Sequence, residues 1–330
     1  RSRRQRQMCI RDRLSNAQTL VQAWGFNERD RLLHALPIFH VHGLFVAIHC
    51  ALLSSCSMRW LSRFDPAAVT SALPDCTVMM GVPTYYTRLL AEGTFSRDRC
   101  ADMRLFVSGS APLLPETFHA FEQRTGHRIL ERYGMSETGM NSSNPLQGER
   151  RPGTVGPALP GVELRVVDDV GTALPTHTPG NLQVRGPNVF KGYWRMPEKT
   201  REDFTDDGFF DTGDQASISA DGYVTIVGRA KDMIICGGLN VYPKEIELFL
   251  DDLDGVRESA VVGAPHADFG EVVVAIIVGD GSRSLADDDI ITPCREHLAN
   301  FKVPKQVLFV KELPRNSMGK VQKNVLRKQL

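Results

Sequence analysis

Residues 131–138, which read ERYGMSET, carry side chains that could bind a ligand. Tyr133 could stack on a flat ring, Ser136 could hydrogen-bond a phosphate oxygen, and the carboxylate of Glu137 could hold a hard cation such as Mg²⁺. Gly134 follows the tyrosine, and the pair predicts a turn, because glycine adopts backbone conformations that other residues resist. Alone, the segment is only suggestive, and its meaning depends on the rest of the chain.

A second acidic segment, Asp211-Thr212-Gly213-Asp214, follows two phenylalanines. A carboxylate such as Asp214 in a glycine-bearing turn can accept hydrogen bonds from both hydroxyls of a ribose, although most such turns are only solvated. Arg229 could bind the same sugar or a phosphate, or it could simply end a strand at the surface. Lys231 and Asp232 follow as a charged pair, which is typical of a hinge or of a solvated linker.

The histidines of residues 37–43 are candidates for a site of their own. His40 and His42, together with His49, suggest a zinc site, but the acidic third ligand is missing and an H-x-H pattern alone is weak evidence. We favour His40 as a histidine that lines a pocket.

Two cationic side chains complete the set of candidates. Arg88 lies about a turn and a half into a predicted helix. Its guanidinium could bind a carboxylate through two hydrogen bonds, which a lysine does less well, or it could face outward. Lys320 lies on a predicted loop near the C-terminus and could act in catalysis, but basic residues follow it, so a solvated basic tail is the alternative.

The elements that must position these residues alternate between strands and helices from residue 14 to residue 150. The predicted strands are 77–82 and 105–107, and the predicted helices are 85–90 and 116–124. Strands separated by helices imply parallel β-α units, in which ligands bind beyond the carboxyl ends of the strands. The turns expected on this common rim are 81–85, 108–112 and 133–138.

From residue 153 the pattern changes to strands and tight turns. Alternating residues predict strands at 162–166 and 182–184, and Asp221-Gly222 predicts a hairpin with a return strand at 223–228. Beyond 228–232 we expect a strand, a Gly237-Gly238 turn, a helix that begins near Pro243, and a buried strand at 272–278. The predicted apolar face of that helix consists of Ile246, Phe249, Leu250 and Leu253.

The bulk composition is that of an ordinary globular protein. The 330 residues are 42% hydrophobic and 24% charged, with a formal net charge of zero, so nothing favours nucleic acid as a partner. The seven cysteines are scattered, which fits free thiols in a reducing compartment. No apolar run approaches the roughly 18 residues of a membrane span. We expect a cytoplasmic location, with a mitochondrial one as the alternative.

In chain order, the sequence carries a His-Gly segment, S-G-S-A-P-L, E-R-Y-G-M-S-E-T, D-G-F-F-D-T-G-D, V-G-R-A-K-D and N-S-M-G-K. This ordered set resembles the acyl-adenylate-forming (AMP-binding) enzymes, the acyl-coenzyme A synthetases and their relatives, over residues 14–330. The segments L-P-I-F-H-V-H-G-L and G-V-P-T-Y-Y-T-R-L-L are most similar to the malonyl-coenzyme A synthetases.

The resemblance implies an α/β fold of two domains. A large domain with a parallel sheet and a β-rich part would occupy residues 14–229, and a small mobile α+β domain would occupy 233–330. Residues 230–232 would form the hinge, with Lys231 as its pivot. Residues 1–13 are rich in arginine, and we interpret them as foreign to the fold.

The resemblance also implies a two-step ligase with ATP, Mg²⁺ and coenzyme A. A carboxylate attacks the α-phosphorus of ATP to give an acyl-adenylate, and the coenzyme A thiolate then displaces AMP. Glu137 would hold Mg²⁺, and Lys320 would bridge carboxylate and phosphate during adenylation, with His40 as a further candidate at the site. Rotation of the small domain would then replace Lys320 with the Gly237-Gly238 loop. The positions matched to nucleotide and coenzyme A are Ser110, Ala111, Tyr133, Gly134, Ser136, Asp214, Arg229, Gly237 and Gly238.

For the acid, the resemblance favours malonate. Arg88 would bind its distal carboxylate, and Met135 would shorten the pocket against long acyl chains. A ligase for another short-chain or aryl acid, and a non-catalytic nucleotide- or acyl-binding relative, are the alternatives.

One expected feature of the family is absent from the sequence. A loop rich in Ser, Thr and Gly, with a lysine that clamps the β- and γ-phosphates, should lie shortly before residue 14, where the arginine-rich stretch stands instead. We therefore expect this chain to be about two-thirds of a ligase, with exposed apolar surface and little activity by itself.

Overall fold

The computed structural model describes residues 10–237, 239–266, 269–316 and 319–330. The chain divides into two compact units, one formed by Arg1–Thr212 with Ala216–Ile226 and the other by Gly213–Gln215 with Val227–Leu330. The domain boundaries and the hinge motion stay predictions.

The first unit contains a six-stranded sheet. Its strands, in spatial order, are β2 (Ser57–Trp60), β1 (Arg31–His34), β3 (Val78–Gly81), β4 (Leu105–Ser108), β5 (Leu130–Met135) and β6 (Gly139–Ser143). The strands from β2 to β5 pair in parallel, and β6 pairs with β5 antiparallel. The predicted parallel sheet is confirmed.

The helices of this unit begin where the sequence supplies helix starts. They are α1 (Ile10–Ala23), α2 (His49–Ser54), α3 (Pro66–Ala72), α4 (Pro83–Ala91), α5 (Pro115–Thr125) and α6 (Pro197–Asp203). The last four begin at proline, whose missing N–H costs nothing in a first turn. Asp65 also caps α3 by accepting a hydrogen bond from the N–H of Ala68 at 2.9 Å.

One apolar core joins α4 and α5 to the sheet. Tyr86 and Phe121 are fully buried there against Phe106 of β4. Burying side chains of this size stabilises the fold by about 2–3 kcal/mol each. Large apolar side chains are exposed on α2 and on the edge strand β2, namely Leu52, Leu53 and Trp60.

A four-stranded sheet follows, in the order β10 (Val224–Arg229), β9 (Phe210–Ile218), β8 (Gly180–Arg185) and β7 (Glu163–Val167). The predicted hairpin at Asp221-Gly222 is confirmed, since the N–H of Ser219 donates to the carbonyl of Tyr223 at 2.9 Å. The turn predicted for Asp211–Asp214 is wrong, because these residues lie inside β9. Gly213 has a positive φ of 65°, so the glycine marks an irregularity of a strand.

The second unit contains a sheet in the order β12 (Leu239–Val241), β11 (Ile234–Cys236), β14 (Gly270–Gly279) and β13 (Val256–His266), with β15 (Gln306–Phe309) also paired to β14. Its helices are α7 (Pro243–Asp251), α8 (Asp287–His297) and α9 (Lys323–Leu326). The strand predicted at 272–278 lies in β14, and Ile246 and Leu250 of α7 are buried as predicted. The two faces of the sheet carry separate apolar cores. The predicted fold class is confirmed.

In the described ranges, no helix is long and apolar enough to cross a membrane. The six cysteines that the structure describes are free thiols.

Candidate active site

The carboxyl ends of β3, β4 and β5 meet at one edge of the first sheet. The parallel register pairs Gly81 with Ser108 and Ser108 with Glu131, so the segments that follow these strands start side by side. This is the rim that the sequence predicted, and it is where parallel sheets bind ligands.

The turn after β4 holds Ser110 in a conformation that is rare for a residue other than glycine. Its φ is 72°, in the left-handed region, and such residues concentrate at functional sites. The Ser110 hydroxyl lies 3.3 Å from Nδ1 of the buried His42, so the turn is hydrogen-bonded to a neighbouring segment. Ser110 and Ala111 are both half-buried at the rim.

Arg132, on β5, is a buried cation that the sequence motifs did not single out. It is 2% exposed, and a Cβ atom added to Gly109 would lie 2.4 Å from its Cζ, so Gly109 is needed for this close approach. Burial lowers the pKa of Arg132 to about 10, which leaves the guanidinium charged at neutral pH. Within the described part of the chain, its Nε and Nη2 have no hydrogen-bond acceptor.

The turn predicted at Tyr133-Gly134 is wrong, because β5 continues through both residues and pairs with β6. A Cβ atom at Gly134 would lie 2.1 Å from the carbonyl oxygen of Gly139, so the glycine permits close approach of two strands. Tyr133 is half-buried against the apolar core of the four-stranded sheet, and Met135 packs against a cluster that contains Phe190. The strand therefore fixes where both side chains lie.

The reversal between β5 and β6 carries Ser136 and Glu137. Ser136 is exposed, whereas Glu137 is 7% exposed. The N–H of Phe190 donates to the carbonyl of Glu137 at 2.9 Å, and Nδ2 of Asn188 donates to the carbonyl of Thr138 at 2.8 Å, so the reversal is anchored from outside the motif.

The carboxylate of Glu137 fits the chemistry of Mg²⁺. Among the described residues, no group of three or more His, Cys, Asp or Glu side chains could hold a metal ion. Mg²⁺ commonly takes one or two carboxylates and completes its octahedron with phosphates and water. The buried carboxylate of Glu137 at the rim fits an ion that arrives with a nucleotide.

His42 begins a π-helical segment, His42–Ile48, and His40 lies two residues before it. His40 is half-buried, and its Nδ1 accepts a hydrogen bond from the N–H of His42 at 3.2 Å. A Cβ atom at Gly43 would lie 2.3 Å from the carbonyl oxygen of Pro37, so this glycine is also needed for close approach. Single π-helical turns are frequent at functional sites.

Arg88 lies in the last turn of α4 and is exposed. It makes no salt bridge to any residue that the structure describes. Its guanidinium is therefore available to an external anion.

In the second unit, the two residues predicted to hold a ribose form an ion pair. Nε of Arg229 lies 3.1 Å from Oδ1 of Asp214, and the side chains are 47% and 6% exposed, respectively. The arginine thus covers a nearly buried carboxylate, which can still accept hydrogen bonds through its remaining lone pairs.

The predicted hinge residue, Lys231, is exposed in a 3-10 turn, Ala230–Asp232. Arg327 binds this turn, since its Nη1 donates to Oδ1 of Asp232 at 2.9 Å. Gly237 forms the turn between β11 and β12 with a φ of 58°, and its N–H donates to the carbonyl of Phe269 at 2.8 Å. Gly238 lies outside the described residues.

Lys320 is half-buried and closes a tight loop. Its N–H donates to Oδ1 of Asn316 at 3.0 Å, and its carbonyl accepts from the N–H of Asn316 at 2.9 Å. These two hydrogen bonds to Asn316 hold the backbone of the lysine.

The sequence matches two family profiles. The family described as AMP-binding enzyme matches residues 7–194, and the family described as AMP-binding enzyme C-terminal domain matches residues 245–320. The first match extends over more than half of the chain. It includes the rim of the first unit and the residues predicted there.

The chain is also similar to named proteins over nearly its whole length. It is 38% identical to a malonate–CoA ligase of Arabidopsis thaliana, over 96% of this chain and 57% of that protein. It is 39% identical to the mitochondrial malonate–CoA ligase ACSF3 of Mus musculus, over 94% of this chain and 59% of that protein. ATP-bound MatB from Rhodopseudomonas palustris has a similar structure, with a TM-score of 0.95 and 55% identity over 96% of this chain and 64% of that one.

The chain therefore spans between half and two-thirds of the length of these relatives, 57% to 64%. The similarity of structure identifies the fold as that of the acyl-CoA synthetases.

Proposed function

The chain belongs to the AMP-binding enzyme family, and on that premise we propose that it is part of an AMP-forming ligase that makes malonyl-CoA from malonate and coenzyme A. The observation that carries the proposal is the rim itself. The neighbouring parallel strands β4 and β5 bring Ser110, which follows β4, to the same edge as Tyr133 near the end of β5 and Glu137 after it, in a chain 55% identical to an ATP-bound protein.

The first step of this reaction joins two anions. A carboxylate oxygen of the acid bonds to the α-phosphorus of ATP, the bond from that phosphorus to the bridging oxygen breaks, and pyrophosphate leaves. Tyr133 supplies a stacking surface for adenine, and Ser136 supplies a hydroxyl for the α-phosphate. Glu137 would hold Mg²⁺, which neutralises phosphate charge when bound.

Asp214, Arg229 and Lys320 would supply the remaining groups. Asp214 accepts hydrogen bonds from the ribose hydroxyls, and the ion pair with Arg229 holds that carboxylate in place. Lys320 binds the attacking carboxylate and the α-phosphate together, which offsets their repulsion. In the second step the thiolate of coenzyme A bonds to the acyl carbon and AMP leaves, with the Gly237-Gly238 loop at the thioester-forming site.

The acid is proposed to be a small dicarboxylate, and two observations support it. The relatives include two proteins named malonate–CoA ligase, and Arg88 is an exposed cation that is free to pair with the distal carboxylate. Met135 packs at the end of β5, where its side chain would leave less space for an acyl chain than a smaller residue would. Ligases for other short-chain or aryl acids, and a non-catalytic binding relative, are the competing proposals.

The organisation of the domains is part of the same proposal. Residues 14–229 would form the nucleotide-binding part, and residues 233–330 would rotate about Lys231 between the two steps. We also propose a cytoplasmic location, while the mouse relative is named as mitochondrial.

The role of Lys320 gives the sharpest test. The chain is extended to the full length of Rhodopseudomonas palustris MatB with that protein's own residues, and we refer to this protein as the extended chain. Lys320→Ala should lower malonate-dependent ATP–pyrophosphate exchange by about 100-fold or more, because the positive charge that joins the reactants is removed. The exposed lysine at position 328 provides the control, and Lys328→Ala should change the rate less than about twofold.

Exchange that survives in Lys320→Ala would refute the adenylation role. The acid is tested separately with Arg88→Ala, using malonate, acetate, propionate and benzoate. A loss of activity confined to malonate supports the dicarboxylate, whereas unchanged malonate kinetics would refute it.

A further inference from the structure

Arg315 lies at the base of the loop that carries Lys320, and its guanidinium contacts two different elements. Nη1 donates to the carbonyl of Gly319 at 2.6 Å, and Nη2 forms an ion pair with Oε2 of Glu258 on β13. Arg315 also forms an isolated β-bridge with Val321, which closes the loop. One side chain therefore fastens the loop to the central sheet of the second unit.

These contacts fix the peptide group that precedes the lysine. Its carbonyl belongs to Gly319 and accepts from Arg315, while its N–H belongs to Lys320 and donates to Oδ1 of Asn316 at 3.0 Å. Gly319 has a positive φ of 75°, and glycine at this position allows many other backbone conformations. With both polar groups of the peptide held, the direction in which the side chain of Lys320 leaves the backbone is defined.

The geometry requires an arginine. A planar guanidinium can donate to the carbonyl and to the carboxylate at once, whereas an ammonium group is a single point charge on a flexible stem. The side chain of Glu258 is 23% exposed, so this ion pair is partly shielded from water. Arg257, the neighbouring residue on the strand, is 3.9 Å from the same carboxylate and donates instead to the carbonyl of Lys311.

We propose that Arg315, held by Glu258, is a positioning residue that orients Lys320 for the adenylation step. The inference rests on the proposed function. It assigns no contact with the substrate to Arg315, which acts through the loop alone. A misplacement of a catalytic group by about 1 Å can cost about 100-fold in rate, so a loosened loop has a measurable consequence.

The experiment measures two rates in the extended chain. One is malonate-dependent ATP–pyrophosphate exchange, which needs Lys320. The other is thioester formation from synthetic malonyl-adenylate and coenzyme A, which by the proposed mechanism does not. Arg315→Met should lower exchange about 10- to 100-fold, and Arg315→Lys and Glu258→Gln should lower it by smaller factors. In all three variants, thioester formation should change less than about twofold. Arg257→Met is the matched control and should leave both rates within about twofold.

A second arm tests whether Arg315 acts through the lysine. In a Lys320→Ala background, Arg315→Met should cause no further loss of exchange, because residues that act as one unit are not additive. A further loss of exchange in the Lys320→Ala background would overturn the inference. An equal fall of exchange and thioester formation in Arg315→Met and Arg315→Lys would also overturn it, because it would indicate a general effect on folding. Unchanged exchange in Arg315→Met would overturn it as well.

The failure of the proposed function is distinguishable from the failure of the inference. Full exchange in Lys320→Ala overturns the role of the lysine and the inference with it. Loss of exchange in Lys320→Ala, together with normal exchange in Arg315→Met, overturns the inference alone.

Discussion

The contact between Gly109 and Arg132 allows a stability prediction for the support of the rim. The perturbation is Gly109→Ala. The φ of Gly109 lies outside the left-handed region, so alanine brings no backbone strain, and without a clash the substitution should stabilise by about 0.4–1 kcal/mol through the unfolded state. The new methyl group would instead lie 2.4, 2.5 and 2.7 Å from Cζ, Nη1 and Nε of Arg132.

The cost follows from how little the guanidinium can move. Ordinary contacts of a methyl carbon are about 3.5–4.0 Å, so the group must shift by about 1 Å. Arg132 is 2% exposed, and overpacking at a site with no room costs about 1–3 kcal/mol. Arg132→Met deletes Cζ and both terminal nitrogens, and replacing a buried charge with an apolar chain is often neutral or stabilising. The double variant Gly109→Ala/Arg132→Met should therefore recover part of the roughly 1–3 kcal/mol that Gly109→Ala alone loses, since methionine keeps only a flexible Cε near the position of Nε.

The assay is urea unfolding of the four proteins of this cycle, with Gly93→Ala as the control. No atom lies within 4 Å of a Cβ built at Gly93, so that variant should be stabilised by about 0.4–1 kcal/mol, which is the gain expected without a clash. If the changes in free energy of unfolding of the two single variants sum to the change of the double variant within about 0.5 kcal/mol, the contact between Gly109 and Arg132 is refuted as the source of the cost. A destabilised Arg132→Met would refute the view that this buried charge is costly to the fold.

Three further predictions concern single residues. Burial raises the pKa of Asp251 to about 6, so the folded state keeps a proton that the unfolded chain releases above pH about 4, and stability falls as the pH rises between these values. In urea unfolding, Asp251→Asn should remove this fall and stabilise the chain at pH 7.5 by about 1–3 kcal/mol, whereas an unchanged pH dependence would contradict the assignment. Gly134→Ala places a methyl group 2.1 Å from the backbone oxygen of Gly139, which cannot swing away, so its thermal unfolding should show a loss of about 3 kcal/mol or more, against none for Gly93→Ala. Asp214→Asn in the extended chain should weaken AMP binding about tenfold by calorimetry but leave 2′,3′-dideoxy-AMP binding unchanged, and an equal loss for both would exclude a ribose contact.

The sequence was sufficient to predict the elements that present the rim. The runs at 77–82 and 105–107 coincide with β3 and β4, which are buried at every residue because both faces of a parallel sheet are covered. Prolines mark the starts of α4, α5 and α7, where their missing N–H has no cost. These signals are local, and local chemistry decides them.

Both wrong predictions concern a glycine. In Tyr133-Gly134 and in Asp211–Asp214, glycine was interpreted as a turn residue, but both segments lie in strands. Gly134 is required because another backbone passes within reach of its missing side chain, and that neighbour is contributed by a different strand. A sequence shows that a residue is glycine, but it does not show whether the reason is its own backbone angle or the approach of a distant atom.

The same limit explains which residues of the site the motifs did not reveal. The motifs contain the side chains that face a ligand, whereas the groups that hold them come from elsewhere in the chain. Ser110 is bound by His42, the reversal at Glu137 is anchored by Asn188, and the Lys320 loop is tied to β13 through Glu258. Each support joins residues that are far apart in the sequence. The ligand-facing residues alone are therefore an incomplete description of the site, and transferring them into a relative without their supports should transfer the contacts but not the placement that catalysis requires.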